Sequence, residues 1–416
     1  ALPAPLYPPC PGAGTVSGQA PGETLPPPIT VVGPVAWLRQ NLFSGWANGL
    51  ITVLIGAALI WLFLQVGQWA VTEARWSVVT NNLRLFLIGQ YPAEQAWRLL
   101  LNLAMLSVLA GLSAGVFGQA TRALAITLAA CQLIIAVLIL ASPLGIVPAL
   151  ALTLNAGIVL VGFVAGLKGL VPRRLLSIAW LLSLPVSFVL LAGIGATSIP
   201  SVSTNVWGGL LLTVLIAVVG ILLSFPLGVV LALGRRSQLP VVRILSTGYI
   251  EIIRGVPLVT ILFMADIILP LFLPGEWRLD RVARAMGGVT LFSAAYVAEN
   301  VRGGLQAIPT GQIEASQALG LSGAQTNLYI VLPQALRSVI PANVGLFISL
   351  LKDTTLVTII GLQEILGIGR AVLAQPDSFG AHLEVYAFVA AVFFVLCYAM
   401  SQASYRLERA LGVGTR

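Results

Sequence analysis

Apolar runs of about 20 residues recur along the chain, separated by short stretches rich in glycine, proline and arginine. A helix needs about 20 mainly apolar residues to cross a hydrocarbon core about 30 Å thick. Run length therefore predicts ten spans, at roughly 48–69, 98–117, 122–141, 146–167, 175–195, 207–234, 249–273, 287–303, 338–360 and 384–404. Ahead of them, residues 1–45 hold ten prolines and two charged residues, Glu23 and Arg39, a composition that favours an extended, solvated tail. The polar stretch TSIPSVSTN at 197–205 is the best internal boundary. The expected architecture is an all-α membrane protein with a tail (1–45), a five-helix N-terminal extension (46–200) and a five-helix C-terminal unit (201–416), without a convincing repeat between the two helical blocks.

Composition agrees: 58% of residues are hydrophobic and 9% charged, and mean hydropathy is +0.98. A net charge of +8 can signal nucleic-acid binding, but no dense basic run interleaved with aromatics appears. Basic excess in a membrane protein reflects Lys and Arg retained on the cytoplasmic side. With a cytoplasmic N-terminal tail, the inside connections carry Arg122, then Lys168, Arg173 and Arg174, then Arg235, Arg236 and Arg243, then Arg337, and finally Arg406, Arg409 and Arg416. Both termini are then cytoplasmic.

Two outside segments dissent: 70–97 carries Arg75 and Arg84, and 274–286 carries Arg278, Arg281 and Arg284, while a third, 361–383, carries Arg370. In the second, Leu279, Val282 and Met286 recur at helical spacing opposite the arginines, which predicts a short amphipathic helix on the membrane surface. Cys10 lies in the tail and Cys131 and Cys397 in apolar runs, so neither a disulfide framework nor a zinc spacing is available. The first 12 residues show no basic start followed by an apolar stretch, which leaves targeting to the first span.

The stretch EASQALGLSGAQTNLYIVLP, residues 314–333, is polar where its surroundings are not. Pro309 and Thr310 break and cap, Ile313, Ala315, Ala318 and Leu319 form an apolar stripe, and Gly320 permits a turn. Ser322 and Gln325 are spaced as a capping box that starts a second short helix through Leu328 and Ile330. Glu314, Ala315, Gly320, Ile330, Leu332 and Pro333 match the cytoplasmic-loop pattern of ABC importer permeases, with Ser316 in place of the usual second alanine. The stretch resembles the coupling helix of a type I ABC importer. YIEIIRGVPLVTILF at 249–263, YVAENVRGGLQAIP at 296–309 and LLKDTTLVTIIGLQEIL at 350–366 are similar to signatures of the polar amino-acid uptake permeases. So are WGGLLLTVLIAVVG at 207–220 and LALGRRSQLP at 231–240, while GPVAWLRQNLFSGW at 33–46 and the extra N-terminal spans resemble the larger subunit of general L-amino-acid permeases.

The resemblance implies an importer of polar L-amino acids in a bacterial inner membrane. A second, homologous permease, ATPase subunits that carry ATP and Mg, and an extracytoplasmic amino-acid-binding protein would complete it. The coupling loop, 303–337, would contact the ATPase through Glu314, Ala315, Gly320, Leu332 and Pro333. The residues agree that no motor lies in this chain. A phosphate-cradling P-loop needs Gly-Lys, and both lysines, Lys168 and Lys352, follow leucine. His382 is the sole histidine, and no HExxH, GxSxG or cysteine cluster exists, so neither metal chemistry nor a histidine-based triad is supported.

Charges in apolar helices cost several kcal/mol in hydrocarbon and normally face protein, water or a partner. Glu251 and Arg254, three apart on one helical face, can form a structural ion pair or a gate. Glu299 and Arg302 repeat that spacing, and Glu299 with Asn300 can receive a substrate ammonium. Lys352 and Asp353 are adjacent and point apart; Thr354 and Thr355 after them suit either a hydrated lining or hydrogen bonds between helices. Asp266 has no basic neighbour within ten residues. Protonation or an arginine from another helix can neutralise it; otherwise it faces the path and attracts a substrate amino group. An ion-coupled secondary transporter, with Asp266, Glu299 and Asp353 as coupling sites, is the alternative reading, and it leaves the 314–333 pattern unexplained.

Overall fold

The computed structural model describes residues 33–195, 200–272, 274 and 279–412, and these fall into two units, one ending at Ala74 and one starting at Arg75. Cys10 lies outside the described residues.

In the first unit, α1 (Pro34–Asn41) and α2 (Trp46–Gln68) are joined by the Thr52 hydroxyl, which donates to the Leu42 carbonyl at 2.8 Å. The expectation of an extended tail fails over 34–41. Pro34 stands at the first helical position, where its fixed φ suits the helix and its missing N–H costs nothing. The helix through 46–73 has a mean hydropathy of 2.3 over its most apolar window, none of which is buried within the chain.

The second unit opens with α3 (Ser77–Asn81) and α4 (Leu83–Ile88), then four long helices, α5 (Trp97–Val116), α6 (Gln119–Leu140), α7 (Ile146–Leu167) and α8 (Arg173–Ala192). Residues 75–91 are packed chain: Leu83, Phe86 and Tyr91 are buried, and Phe86 meets Phe388 edge-on at 5.0 Å. The dissenting arginines of 70–97 are held by hydrogen bonds within the protein. Arg75 donates its guanidinium to the Phe379 carbonyl and its backbone N–H to Glu384, and Arg84 donates to the Tyr91 carbonyl. Glycines let α5 and α7 touch: a Cβ on Gly111 would lie 2.3 Å from the Val159 carbonyl oxygen, and one on Gly166 would lie 2.5 Å from that of Leu112. Gly111 and Gly115 thus face Gly162 and Gly166, two small-xxx-small stripes meeting backbone to backbone.

Next come α9 (Gly209–Arg235), α10 (Pro240–Gly255), α11 (Leu258–Phe263), a π-helical turn at Met264–Ile268, α12 (Leu269–Phe272) and α13 (Arg281–Gln306). The run read as one span at 249–273 is bent by 108° at Val256 and Pro257, because proline leaves the preceding residue extended. Among the described residues of 274–286 no separate surface helix is found: Arg281 opens a helix that runs unbroken to Gln306, and Val282 and Met286 are core residues. Within α13, Ala285, Val289, Ala294, Ala295, Val297, Ala298 and Val301 are fully buried, with α9, α10, α11 and α17 (Ile340–Asp353) around them. Protein takes the place of lipid here, which is why α13 tolerates four charged residues.

The chain ends with a 3-10 stretch (Thr354–Ile360), α18 (Ile365–Leu373) and α19 (His382–Ala410). Among the described residues there is no β-strand beyond isolated bridges, and eight helices are long and apolar enough to cross a membrane, nine with the bent pair. The eighth predicted span, 287–303, is the one not among them and is the buried middle of α13.

Candidate functional site

The 310–338 element is a bent pair of helices: α14 (Thr310–Ala318), a turn, α15 (Gly323–Gln325) continuing through π-helical Thr326–Val331, and α16 (Leu332–Ser338). Thr310 is the first helical residue and does not cap; Pro309 precedes it without a side-chain cap. Gly320 takes φ +81°, the left-handed turn that ends α14, and the Leu321 N–H closes on the Ser316 carbonyl at 3.1 Å. The predicted capping box is present: Gln325 N–H donates to the Ser322 hydroxyl, and Ser322 N–H to the Gln325 side chain.

Two further contacts fix the bend. The Ser316 hydroxyl donates to the Ile313 carbonyl at 2.7 Å and lies 2.9 Å from the Thr326 hydroxyl, and both residues are buried. Gln334 donates to Gln312 at 2.7 Å. The departure from the family pattern at 316 is thus matched by a threonine ten residues on, a pairing that no local rule foretells. Glu314, Ala315, Gly320 and Pro333 are exposed and Leu332 is half-buried. In the predicted stripe only Ile313 turns inward, while Leu319 is 83% exposed, so an apolar knob projects beside Glu314.

The charges of the C-terminal helices gather at two separate places on α13. At its C-terminal end, Arg302 grips Glu299 through Nε and Nη2. Arg254 Nη1 and Arg235 Nη1 approach the same carboxylate at 3.4 and 3.5 Å. Arg235 Nη2 lies 2.9 Å from Glu251. The pairing predicted for Glu251 with Arg254 is therefore replaced by pairs between helices. Arg235, at the end of α9, is the residue that sequence reasoning missed, because its contacts lie 16 and 64 positions away.

At the other end, Asp266 stands on the π-helical turn with Arg284 at 2.7 Å and Arg281 at 3.5 Å. Of the alternatives left open, neutralisation by arginines of another helix is the one observed. Arg284 and Arg302 are 18 residues apart, about 27 Å along a helix, so the two acidic candidates do not share a site. Asn300 donates to Asn343 of α17 at 3.0 Å. The Thr354 and Thr355 hydroxyls donate to the carbonyls of Leu351 and Lys352, three residues back in the chain, at 2.7 and 2.8 Å. Asp353 is half-buried and Lys352 exposed.

Beyond Ile360, Glu364 caps α18: it accepts from the Leu366 and Gly367 N–H groups at 2.9 and 2.8 Å and from the Thr358 hydroxyl at 2.8 Å. Burial pushes its carboxyl above the usual carboxylate range against the pull of those bonds. No group of three or more potential metal ligands exists among the described residues.

Residues 224–412 match the family described as binding-protein-dependent transport system inner membrane component. The chain is 37% identical over 396 residues to the inner membrane amino-acid ABC transporter permease protein YhdY of Escherichia coli, covering 91% of this chain and 94% of that one. It is 38% identical over 429 residues to the glutamate/glutamine/aspartate/asparagine transport system permease protein BztC of Rhodobacter capsulatus, covering 93% and 95%. A probable glutamine ABC transporter permease protein of Bacillus subtilis, GlnP, is 37% identical over 202 residues, 49% of this chain and 91% of that one. These likenesses show the family: the chain belongs to the amino-acid ABC transporter permeases, the inner-membrane components of binding-protein-dependent transport systems.

Proposed function

We propose that this permease carries polar L-amino acids into the cell, driven by ATP hydrolysed on a separate ATPase subunit that seats on the 310–333 element. The single observation that carries this reading is the rigid bent knob itself, cross-tied by Ser316 and Thr326 and presenting Glu314, Ala315, Gly320 and the apolar Leu319 outward. A lever must be stiff where force enters it, and this one is tied across its bend by the Ser316–Thr326 and Gln334–Gln312 contacts and by the Ser322–Gln325 capping box. The core, 201–416 with coupling loop 303–337, would pair with a second, homologous permease, and the extension 46–200 would brace it. An extracytoplasmic binding protein would hand over the amino acid, and the tail and both termini would lie in the cytoplasm. ATP and Mg would act on the partner.

The ion-coupled alternative loses support from the charges. Asp266 and Glu299, two of its three coupling sites, are both held by arginines and so are poorly suited to reversible cation binding; only the third, half-buried Asp353, is without an arginine among the described residues. Replacing exposed Glu314 by arginine tests the reading in proteoliposomes containing the ATPase, sister permease and binding protein. The variant is expected to fold normally and lose ATP-driven uptake; normal uptake with the ATPase still docked would remove the coupling role.

A further inference from the structure

We propose that Arg235, Glu251, Arg254 and Glu299 form a partner-exchange switch. The pairing seen here, Arg235 shared between Glu251 and Glu299 with Arg254 on Glu299, alternates with Arg254 on Glu251 and Arg235 on Glu299 alone as the coupling element moves. The inference rests on the coupling reading above and assigns Arg235 as a positioning residue for it.

Three features of the cluster support exchange over a fixed staple. The first is stoichiometry: Arg235, Arg254 and Arg302 share two carboxylates. Arg302 already grips Glu299 through two nitrogens, which leaves Arg235 and Arg254 on one oxygen at 3.5 and 3.4 Å and the buried Nε of Arg254 without a partner. The second is geometry. Arg235 Nη1 already faces Glu299, and Arg254 is three residues from Glu251 on α10, the spacing at which helical side chains meet. The second pairing therefore needs new rotamers and a small shift of α10. The third is exposure: the Arg235, Glu251, Arg254 and Glu299 side chains are 26%, 55%, 33% and 23% exposed within the chain. Pairs this open, where water reaches them, each contribute little and exchange readily, whereas a fully buried pair would resist separation.

The cluster also lies where movement would arrive. Gly304, five residues beyond Glu299, is pressed against the arm that follows the knob: a Cβ there would lie 2.4 Å from Val339 and 2.7 Å from the Ala335 carbonyl oxygen. Displacement of α16 must therefore move the end of α13 that holds Glu299.

The experiment measures ATP hydrolysed per amino acid imported, together with the thermal midpoint, for the complete transporter in proteoliposomes. Arg235→Gln is expected to raise the ratio at least about fivefold, the low end of measured coupling between sites, while Arg235→Lys stays within about twofold of wild type. Glu251→Gln, on the most exposed member, is expected to uncouple as well and serves if Arg235→Gln fails to assemble. The charge-swapped double variant, Arg235→Glu with Glu251→Arg, separates switch from staple. It restores the pair seen here but sets two carboxylates against each other at Glu299, so the midpoint should recover relative to Arg235→Glu alone and the ratio should not. Recovery of the ratio by the swap, or an unchanged ratio in both Arg235→Gln and Glu251→Gln, overturns the proposal. If Glu314→Arg uncouples while these variants do not, only the switch is lost; if Glu314→Arg also leaves the ratio unchanged, the coupling reading itself has failed.

Discussion

The Ser316 and Thr326 hydroxyls lie 2.9 Å apart across the bend of the 310–338 element, and both residues are buried. Because the Ser316 proton is used by the Ile313 carbonyl, the Thr326 hydroxyl is left to donate. Ser316→Ala should cost about 1–2 kcal/mol, since it strands a buried donor, and Thr326→Val a similar amount. The double variant replaces both partners by apolar groups and should cost clearly less than the sum. Thermal melting of the four proteins measures the cycle; strict additivity would show that the hydroxyls do not interact.

Gly111 and Gly162 make a second tight contact, with a Cβ on Gly162 placed 2.9 Å from the Val108 carbonyl oxygen and 3.2 Å from the Gly111 Cα. The obstructing atoms are backbone, so they cannot swing aside. Gly111→Val and Gly162→Val should each destabilise the protein by about 1–3 kcal/mol through overpacking. Gly157, which faces open space on the same helix, is the control, and Gly157→Ala should melt with the wild type. Equal midpoints for all three variants would show that α5 and α7 do not need this approach.

What the sequence made legible follows from the range of the forces involved. Run length and glycine–proline punctuation act locally, and they placed most of the long helices and the bend with its capping box. Helical spacing located Glu299 with Arg302 for the same reason. It misled at Glu251 and Arg254, where i, i+3 proximity competes with arginines and carboxylates of other helices. The amphipathic 279–286 stretch was misread because a helix sheltered by protein and one lying at a membrane surface show the same periodicity. Arg235, the Thr326 partner of Ser316, and the carbonyls that hold Arg75 and Arg84 are long-range facts with no local signature.

Asp266 and Arg284 illustrate the energetic side of such a pair. Their side chains are 12% and 14% exposed and 2.7 Å apart, with Arg281 beside them. Asp266→Asn removes the carboxylate that Arg284 holds among the described residues and leaves a mostly buried guanidinium without it, a loss expected to be about 2–4 kcal/mol, because breaking one partner of a buried pair leaves the other charge uncompensated. Asp266→Asn with Arg284→Gln should recover more than half of it. A fall in the transport rate at an unchanged thermal midpoint would instead return Asp266 to the substrate path.

Glu364 supplies a pH test at the junction of the 3-10 stretch and α18. Its carboxyl is buried, and burial holds it above the ordinary value despite the Leu366, Gly367 and Thr358 donors. A carboxyl raised on folding binds its proton more tightly in the folded than in the unfolded chain. Its contribution is thus fully present below the ordinary glutamate value and is lost as pH rises through the raised one. Glu364→Gln keeps an acceptor for the cap and cannot ionise. The wild type should therefore lose thermal stability relative to Glu364→Gln as pH rises from about 4, near the ordinary glutamate value, to about 8. The opposite slope, with the wild type gaining on the variant, would mean that the three donors outweigh burial and that the carboxylate is the form the cap requires.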